Sequence, residues 1–469
     1  MVWPPWPAGH LPWDSLGFPR PPWVHMVSQF PALGRRVRLA LPCIGLNGLG
    51  AGMADMKFDA FEVVYAFDTD VELLPALVSM LGPEQAQRLH IGPSCGDLLQ
   101  CDITQWERVD FVVAGPPCPP FSSMGLQLAA GPAADPRERV FQQVTNAIIH
   151  QGHLGCFGFI VEMVVGIAFK SKGQRSYYDT WLGYLRQMAP MFRIHCWPMQ
   201  SRNYLPHNRI RLYTVGLHRC MVPHHNIAPP LPPASCCRPT LGELLHKGIP
   251  PLNEGPLTPQ QRDNLAMVKP LVQQLLSGHQ SPASGHTMPL HFQPPIACLE
   301  VDRNPRLTYG ETMRIDDSVP CLRTAHEMHW LLKFNTHGEL ILSRALHPME
   351  RLALQGFQPE LATFFSKRAL LRATSNSFTV PVVTAVFQKC IVAAQEWLGP
   401  PPISRPLSHD LSKMMHLLRT RQNNNEHRDM VALLDAEAKL AGRCLLDTRK
   451  RVQNTPNDQS IYKRSRLAC

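Results

Sequence analysis

The stretch VRLALPCIGLNGLGAG, residues 37–52, joins an apolar run to a glycine-rich turn. Residues 37–41 have the composition of a buried strand, and a glycine-rich turn at the start of a helix lets a ligand approach the backbone closely. Similar strand-like runs follow at 61–67, 110–114, 157–161 and 211–215, with helical patterns between them at 140–150 and 177–188. This alternation predicts an α/β fold with a mostly parallel, doubly wound sheet.

Composition divides the chain further. Residues 1–34 form a leader rich in proline and tryptophan, and residues 35–216 hold the strand and helix alternation. Residues 217–343 are proline-rich with little periodicity, which predicts a smaller, loop-rich domain. Residues 344–400 regain helical patterns and are expected to pack back on the first domain, before a polar, basic tail at 401–469.

The chain has 469 residues, a formal net charge of +10 and a pI near 9.0, which favours a polyanionic partner. Its 14 cysteines are scattered without a CxxC pair, so their spacing predicts neither a metal site nor a redox dithiol. They are expected to be reduced thiols of an intracellular protein. We find no signal peptide, and no apolar run of the roughly 18 residues that a membrane span needs.

One cysteine stands in an unusual setting. The loop VAGPPCPPFSS, residues 113–123, places Cys118 between two pairs of prolines, directly after a strand-like run. A rigid loop at the carboxyl end of a strand is a typical site position in an open α/β sheet. A cysteine chosen at random is more often a small buried hydrophobe. The proline frame favours a reactive thiol instead.

Acidic and basic residues near the ends of other strands complete a candidate site. Asp68 ends the second strand, where a carboxylate can accept hydrogen bonds from ribose hydroxyls, and Asp102 could meet an adenine edge or simply cap a turn. Glu162 ends an apolar strand, where a buried carboxylate needs a partner or a task. Arg209 and Arg211 alternate, so both can point to one face.

These motifs resemble those of the cytosine-5 DNA methyltransferase family. PPCPPFS at 116–122 is similar to the family's PPCQPFS loop, Glu162 stands at its ENV motif, and Arg209 and Arg211 stand at its QxRxR motif. The resemblance extends to RALHPMERLALQGF at 344–357 and SNSFTVP at 375–381, in the family's order. It implies an S-adenosylmethionine-dependent methyltransferase (Rossmann-like) fold in which 217–343 is a target-recognition domain.

The resemblance also implies residue roles. Cys118 would add to carbon 6 of a cytosine flipped out of duplex DNA. Glu162 would hydrogen-bond or protonate ring nitrogen 3 of that base. Arg209 and Arg211 would hold the base carbonyl and a phosphate. S-adenosyl-L-methionine would be the cofactor. The residues that the resemblance assigns to it are Gly45, Gly48, Asp68, Asp102, Pro116 and Asn376.

Several positions depart from the family pattern, namely Cys43, Asn47, Pro119, Met163, His207 and Ser375. Three readings therefore stay open: a DNA methyltransferase, a binding protein of the same fold without turnover, and an RNA (tRNA) cytosine-5 methyltransferase. The absence of the CFT tripeptide of the tRNA-methylating branch favours DNA. No maintenance-type regulatory module is expected, and the localisation would be nuclear if the source is eukaryotic.

Overall fold

The computed structural model describes residues 20–117, 137–168, 176–219, 227–245, 257–279, 296–302, 312–322, 328–335 and 339–398. The chain divides into two units, residues 1–400 and 401–469, and every described residue belongs to the first. The polar, basic tail at 401–469 lies outside the described residues.

A seven-stranded sheet organises the described part of the chain, in the order β3-β2-β1-β4-β5-β7-β6. The first five of these strands run parallel, and β7 pairs antiparallel with both β5 and β6. The mostly parallel α/β fold predicted from the alternation of patterns is confirmed. The strands are β1 (Val37–Pro42), β2 (Phe61–Asp68), β3 (Leu89–Ile91), β4 (Phe111–Ala114), β5 (Gly158–Val164), β6 (Phe192–Gln200) and β7 (Ile210–His218).

Helices cover this sheet and connect its strands. The pattern at 177–188 predicts α4 with its ends, and Ser176 caps that helix by accepting a hydrogen bond from the Asp179 N–H at 3.0 Å. The helices are α1 (Gly48–Asp55), α2 (Leu74–Ala86), α3 (Glu138–His153), α4 (Tyr177–Met188), α5 (Leu241–Leu244), α6 (Pro259–His279), α7 (Pro348–Ala353), α8 (Lys367–Asn376), α9 (Val380–Ala393) and α10 (Gln395–Leu398).

A second, four-stranded sheet lies in the region that the sequence predicts to be loop-rich. Its strand order is β11-β10-β8-β9, with antiparallel pairing throughout. The strands are β8 (Ala297–Glu300), β9 (Met313–Arg314), β10 (His329–Phe334) and β11 (Leu340–Ala345). Each is short, and proline-rich sequence separates them, so the alternation signal in the sequence is weak.

The ends of the described chain meet in the main core. Trp23 is fully buried, and its indole N–H donates to the carbonyl of Gly356 at 3.2 Å. The backbone N–H of Gly34 donates to the carbonyl of Leu398. Helix α9 packs against α1, with the space at Gly52 occupied by Thr384. Residues 344–398 thus complete the hydrophobic core around β1.

Within the described residues, the stretch Lys367–Ala393 is long and apolar enough by length and composition to cross a membrane, which differs from the expectation that no apolar run has this length. The fold buries 78% of its most apolar part. The stretch is also divided, because α8 ends at Asn376 and α9 begins at Val380. It has the burial of a core segment.

Candidate active site

The turn after β1 begins the candidate site. Gly45 has a φ of 54° and Asn47 a φ of 51°, both left-handed, which glycine and asparagine tolerate better than other residues. Asn47 caps α1, since its side-chain oxygen accepts from the Gly50 N–H at 2.9 Å. Its side-chain nitrogen is buried and has no hydrogen-bond partner in the described part of the chain. Asparagine therefore supports this turn at a position where the family has glycine.

Asp68 is fixed beside this turn at the carboxyl end of β2. Its two oxygens accept from the backbone N–H of Gly45 at 2.9 Å and of Asp70 at 3.0 Å. Burial raises the pKa of the Asp68 carboxyl, and these hydrogen bonds oppose the rise. The carboxylate thus belongs to the turn and is oriented by it, in the position predicted for a contact with ribose.

Residues 375–378 close the turn from the other side. The Ser377 hydroxyl accepts from the Leu46 N–H at 3.2 Å, and the Asn376 carbonyl oxygen lies 3.6 Å from where a Cβ on Gly45 would be. Phe378 fills the space at Gly48, where a Cβ would come within 3.0 Å of it. Because Gly48 has no side chain, Phe378 of the same chain can pack against it. The structure brings Gly45, Gly48 and Asn376 together, and their contact with the cofactor stays a prediction.

Glu162 and the two arginines meet at the same edge of the sheet. Glu162 lies in β5, opposite the start of β7, and its Oε1 is 3.1 Å from Arg211 Nε and 3.6 Å from Arg209 Nη2. The Glu162 side chain is 5% exposed, so its charge is balanced by guanidinium groups and little by water. Glu162 Oε1 has no hydrogen-bond partner among the described residues, so it can accept a hydrogen bond from a ligand.

Arg209 binds two backbone carbonyls of its own chain. Its Nη1 donates to the Ser375 carbonyl and its Nη2 to the Ser377 carbonyl, both at 2.9 Å. The resemblance predicts that Arg209 holds the base carbonyl or a phosphate, whereas here both terminal nitrogens are committed to the 375–378 segment. Arg211 is the more accessible arginine, with 15% of its side chain exposed against 3% for Arg209. Its Nη2 contacts the Cys321 sulfur at 3.7 Å.

The remaining predicted residues are only partly placed. Pro116 follows β4 at the same edge, and Cys118 lies outside the described residues, as does Pro119. Asp102 is exposed and caps a 3-10 turn by accepting from the N–H and hydroxyl of Thr104, which lowers the pKa of the Asp102 carboxyl. One carboxylate oxygen of Asp102 thus caps the turn, and the other can still accept a hydrogen bond from a ligand.

His207 contributes a contact that sequence reasoning missed. Its ring is fully buried, and Nε2 accepts from the Leu322 N–H at 3.1 Å. Burial, with Arg209 and Arg211 next in effect, holds the pKa of this imidazole well below its usual range. The ring is therefore neutral with its proton on Nδ1. Its place in the motif was visible in the sequence, but its partner was not, because Leu322 is 115 residues away.

Comparison with known proteins assigns this arrangement to a family. The family model for C-5 cytosine-specific DNA methylases matches residues 43–392, about three quarters of the chain. The chain belongs to this family. Its members use S-adenosylmethionine as the methyl donor. The resemblance drawn from the motifs is thereby confirmed.

Two type II methyltransferases are similar to parts of the chain. The type II methyltransferase M.NlaX of Neisseria lactamica is 25% identical over 173 residues, which are 37% of this chain and 49% of the relative. The type II methyltransferase M.HgiCI of Herpetosiphon aurantiacus is 32% identical over 124 residues, or 26% of this chain and 27% of the relative. The matches span about half and about a quarter of these relatives' lengths.

A solved structure is similar at lower identity. The methyltransferase EhMeth of Entamoeba histolytica has a TM-score of 0.45 and 12% identity, with 77% of this chain and 97% of that chain covered.

The residues of this chain fit the family's cofactor. Asp68 offers an oriented carboxylate for ribose hydroxyls, and Asp102 and Asn376 are exposed at the same end of the sheet. The unpartnered side-chain nitrogen of Asn47 adds a buried donor at the glycine turn. A nucleoside linked to an amino acid needs both kinds of group. The described part of the chain supplies both.

Proposed function

We propose that this protein transfers a methyl group from S-adenosyl-L-methionine to carbon 5 of cytosine in DNA, with the target base flipped out of the duplex. The observation that carries the proposal is the cluster of Glu162, Arg209 and Arg211, next to the end of β4, in a chain of this family. The basic charge of the chain suits a polyanionic substrate.

Each side chain has a separate task in this proposal. The Cys118 thiolate adds to carbon 6 of the base, which makes carbon 5 nucleophilic. Glu162 hydrogen-bonds or protonates ring nitrogen 3 and so takes up the charge that develops on the ring. Carbon 5 then accepts the methyl group that the cofactor supplies. Loss of the proton from carbon 5 expels the thiolate and restores the aromatic base.

The two arginines divide the work of positioning. Arg211 is the more accessible one and lies 3.1 Å from Glu162, so it can contact the base carbonyl or a phosphate while it orients the acid. Arg209 acts through the 375–378 segment, whose other face supports the cofactor turn. One buried guanidinium thus connects the proposed base site to the proposed cofactor site.

Methyl transfer from tritiated S-adenosylmethionine tests this proposal. The full chain is incubated with duplex DNA or total tRNA, beside Cys118→Ala, Glu162→Gln and the exposed control Glu107→Gln. We expect label in DNA from the parent and the control, none from Cys118→Ala, and a loss of about 10²–10⁴-fold in kcat for Glu162→Gln. Label in tRNA alone would make the protein an RNA methyltransferase.

Covalent trapping distinguishes an enzyme from a binding protein of the same fold. In the presence of S-adenosylmethionine, methyl transfer to 5-fluorocytosine leaves no proton on carbon 5 to be lost, so the thiolate cannot be expelled and the enzyme stays attached to the oligonucleotide. We expect an adduct with the parent chain and none with Cys118→Ala. Binding of cofactor and DNA without an adduct or label would assign the chain to the binding class.

A further inference from the structure

Two neighbouring thiols lie outside the catalytic cluster. Cys236 and Cys237 end a 3-10 turn (Ser235–Cys237), are both exposed, and have their sulfur atoms 3.9 Å apart. Contact with the Cys236 sulfur raises the pKa of the Cys237 thiol. Within the described residues no group of three or more His, Cys, Asp or Glu side chains could hold a metal ion. A pair of adjacent thiols is thus available for chemistry between the two sulfurs.

The distance between the sulfurs is short enough for bond formation. A disulfide has an S–S length of about 2.05 Å, so the two atoms must approach by roughly 2 Å. Adjacent residues reach this length only when the peptide between them twists. The resulting strain makes such a bond easy to reduce, which is a property of labile and regulatory disulfides.

The peptide that would twist is part of a hydrogen-bonded turn. The Cys237 N–H donates to the Ala234 carbonyl at 3.0 Å, and the Cys237 carbonyl accepts from His25 Nε2 at 3.2 Å. Twisting the bond between residues 236 and 237 moves that N–H away from its acceptor. The turn cannot keep its present shape once the sulfurs are joined.

Arg238 connects the turn to residues 201–211, here named the arginine loop. Its Nη1 donates to the Arg202 carbonyl at 3.1 Å, in the 3-10 turn Ser201–Asn203. In the same turn the Ser201 N–H donates to the Arg209 carbonyl at 2.9 Å. A change at residues 236–237 therefore reaches Arg209 through two hydrogen bonds.

We propose that Cys236 and Cys237 are a redox modification site, which a low-molecular-weight disulfide oxidises to a vicinal disulfide that loosens the Arg238 contact. One thiolate attacks glutathione disulfide and releases a glutathione thiolate. The second thiol then displaces the other glutathione, so two thiols and one disulfide become one protein disulfide and two glutathione thiols. The bond forms whether or not the proposed methyl transfer takes place.

Mass spectrometry tests the bond. The full chain is treated with glutathione disulfide, alkylated and digested with trypsin, whose peptide runs from Cys220 to Lys247 because a proline follows Arg238. We expect fragmentation to place a disulfide between residues 236 and 237, unchanged in Cys220→Ser and absent in Cys236→Ser. A bond to Cys220, or two thiols that stay alkylatable, would overturn the proposal.

Hydrogen exchange tests the connection to the arginine loop. We expect oxidation to speed amide exchange over residues 201–211 by several-fold in the parent and in Cys95→Ser, a control at another exposed thiol. Cys236→Ser should show no change, and dithiothreitol should reverse the effect in the parent. If the disulfide forms but amide exchange over residues 201–211 stays unchanged, the proposed connection to the arginine loop is wrong.

Discussion

Arg209 and Arg211 are two residues apart in the sequence, yet their surroundings separate their roles. Both reach Glu162, but only Arg209 donates to the carbonyls of Ser375 and Ser377. The alternation of the two arginines predicts that they share a face. It gives no sign of the carbonyl acceptors, which lie more than 160 residues along the chain.

Exchange of each arginine for lysine should separate these roles. In Arg209→Lys a single ammonium group replaces the planar guanidinium that binds two carbonyls. We therefore expect the affinity for S-adenosylmethionine, measured by calorimetry, to be at least tenfold weaker. Arg211→Lys should bind the cofactor almost as tightly as the parent does. Its defect should instead be a lower kcat. Equal cofactor affinities in the two variants would contradict the positioning role of Arg209.

Two carboxyls near the end of α1 predict a dependence of stability on pH. Burial raises the pKa of Asp55 and of Glu360 to about 7 each, from ordinary values of 3.8 and 4.5. Between about pH 4 and pH 7 the folded protein then binds more protons than the unfolded chain, so its stability falls as the pH rises. Asp55→Asn should reduce the fall in Tm over this range by a few degrees. An unchanged slope of Tm against pH would contradict these pKa values.

At the scale of elements, the packing of α1 against α9 depends on one glycine. A Cβ on Gly52 would lie 1.8 Å from the Thr384 hydroxyl oxygen and 3.1 Å from its Cβ. That hydroxyl donates to the Val380 carbonyl at 2.7 Å, so it cannot turn aside without losing a hydrogen bond. We expect Gly52→Ala to lower the free energy of unfolding by about 1–3 kcal/mol.

The matched control is Gly183, which lies in α4 with nothing within 4 Å of a new Cβ. Alanine is the better helix former there, so Gly183→Ala should stabilise the protein by about 0.4–1 kcal/mol. Denaturant unfolding of the two variants measures both changes. Destabilisation of similar size at the two positions would show that helix interiors, and not the α1–α9 contact, set the result.

Most elements of the large sheet could be predicted, because their apolar runs are unbroken. Strands β3 and β6 were missed. β3 has only three residues, and Phe192–Gln200 carries polar and basic residues and an exposed Pro198, which an edge strand tolerates. The second sheet was missed for another reason. Its strand β9 has two residues, and only pairing with β8 makes it a strand.

At the scale of the whole described molecule, His207 joins the loop before β7 to residues 319–322, which follow β9. Its imidazole accepts from the Leu322 N–H, and the neighbouring backbone pairs with Val319. The Val319 N–H donates to the Pro206 carbonyl, and the Asn208 N–H donates to the Val319 carbonyl, both at 2.8 Å. These contacts hold the arginine loop against the segment that follows β9.

Removing the imidazole tests how much this connection stabilises the fold. His207→Ala leaves the Leu322 N–H buried without its acceptor, which should cost about 1–3 kcal/mol in the free energy of unfolding. His207→Gln keeps an acceptor at the family's own residue type, so we expect it to recover much of the loss. Equal stabilities of the alanine and glutamine variants would show that the hydrogen bond contributes nothing.

The contact of Trp23 with Gly356 spans 333 residues and sets an order of events during synthesis. A ribosome that adds about 5–20 residues per second needs tens of seconds to travel from one partner to the other. Throughout that interval the nascent N-terminal segment exposes an indole whose binding surface has not yet been made. Final assembly of the domain therefore waits until Gly356 has been made, and until then the emerging chain carries an apolar segment that a chaperone can recognise.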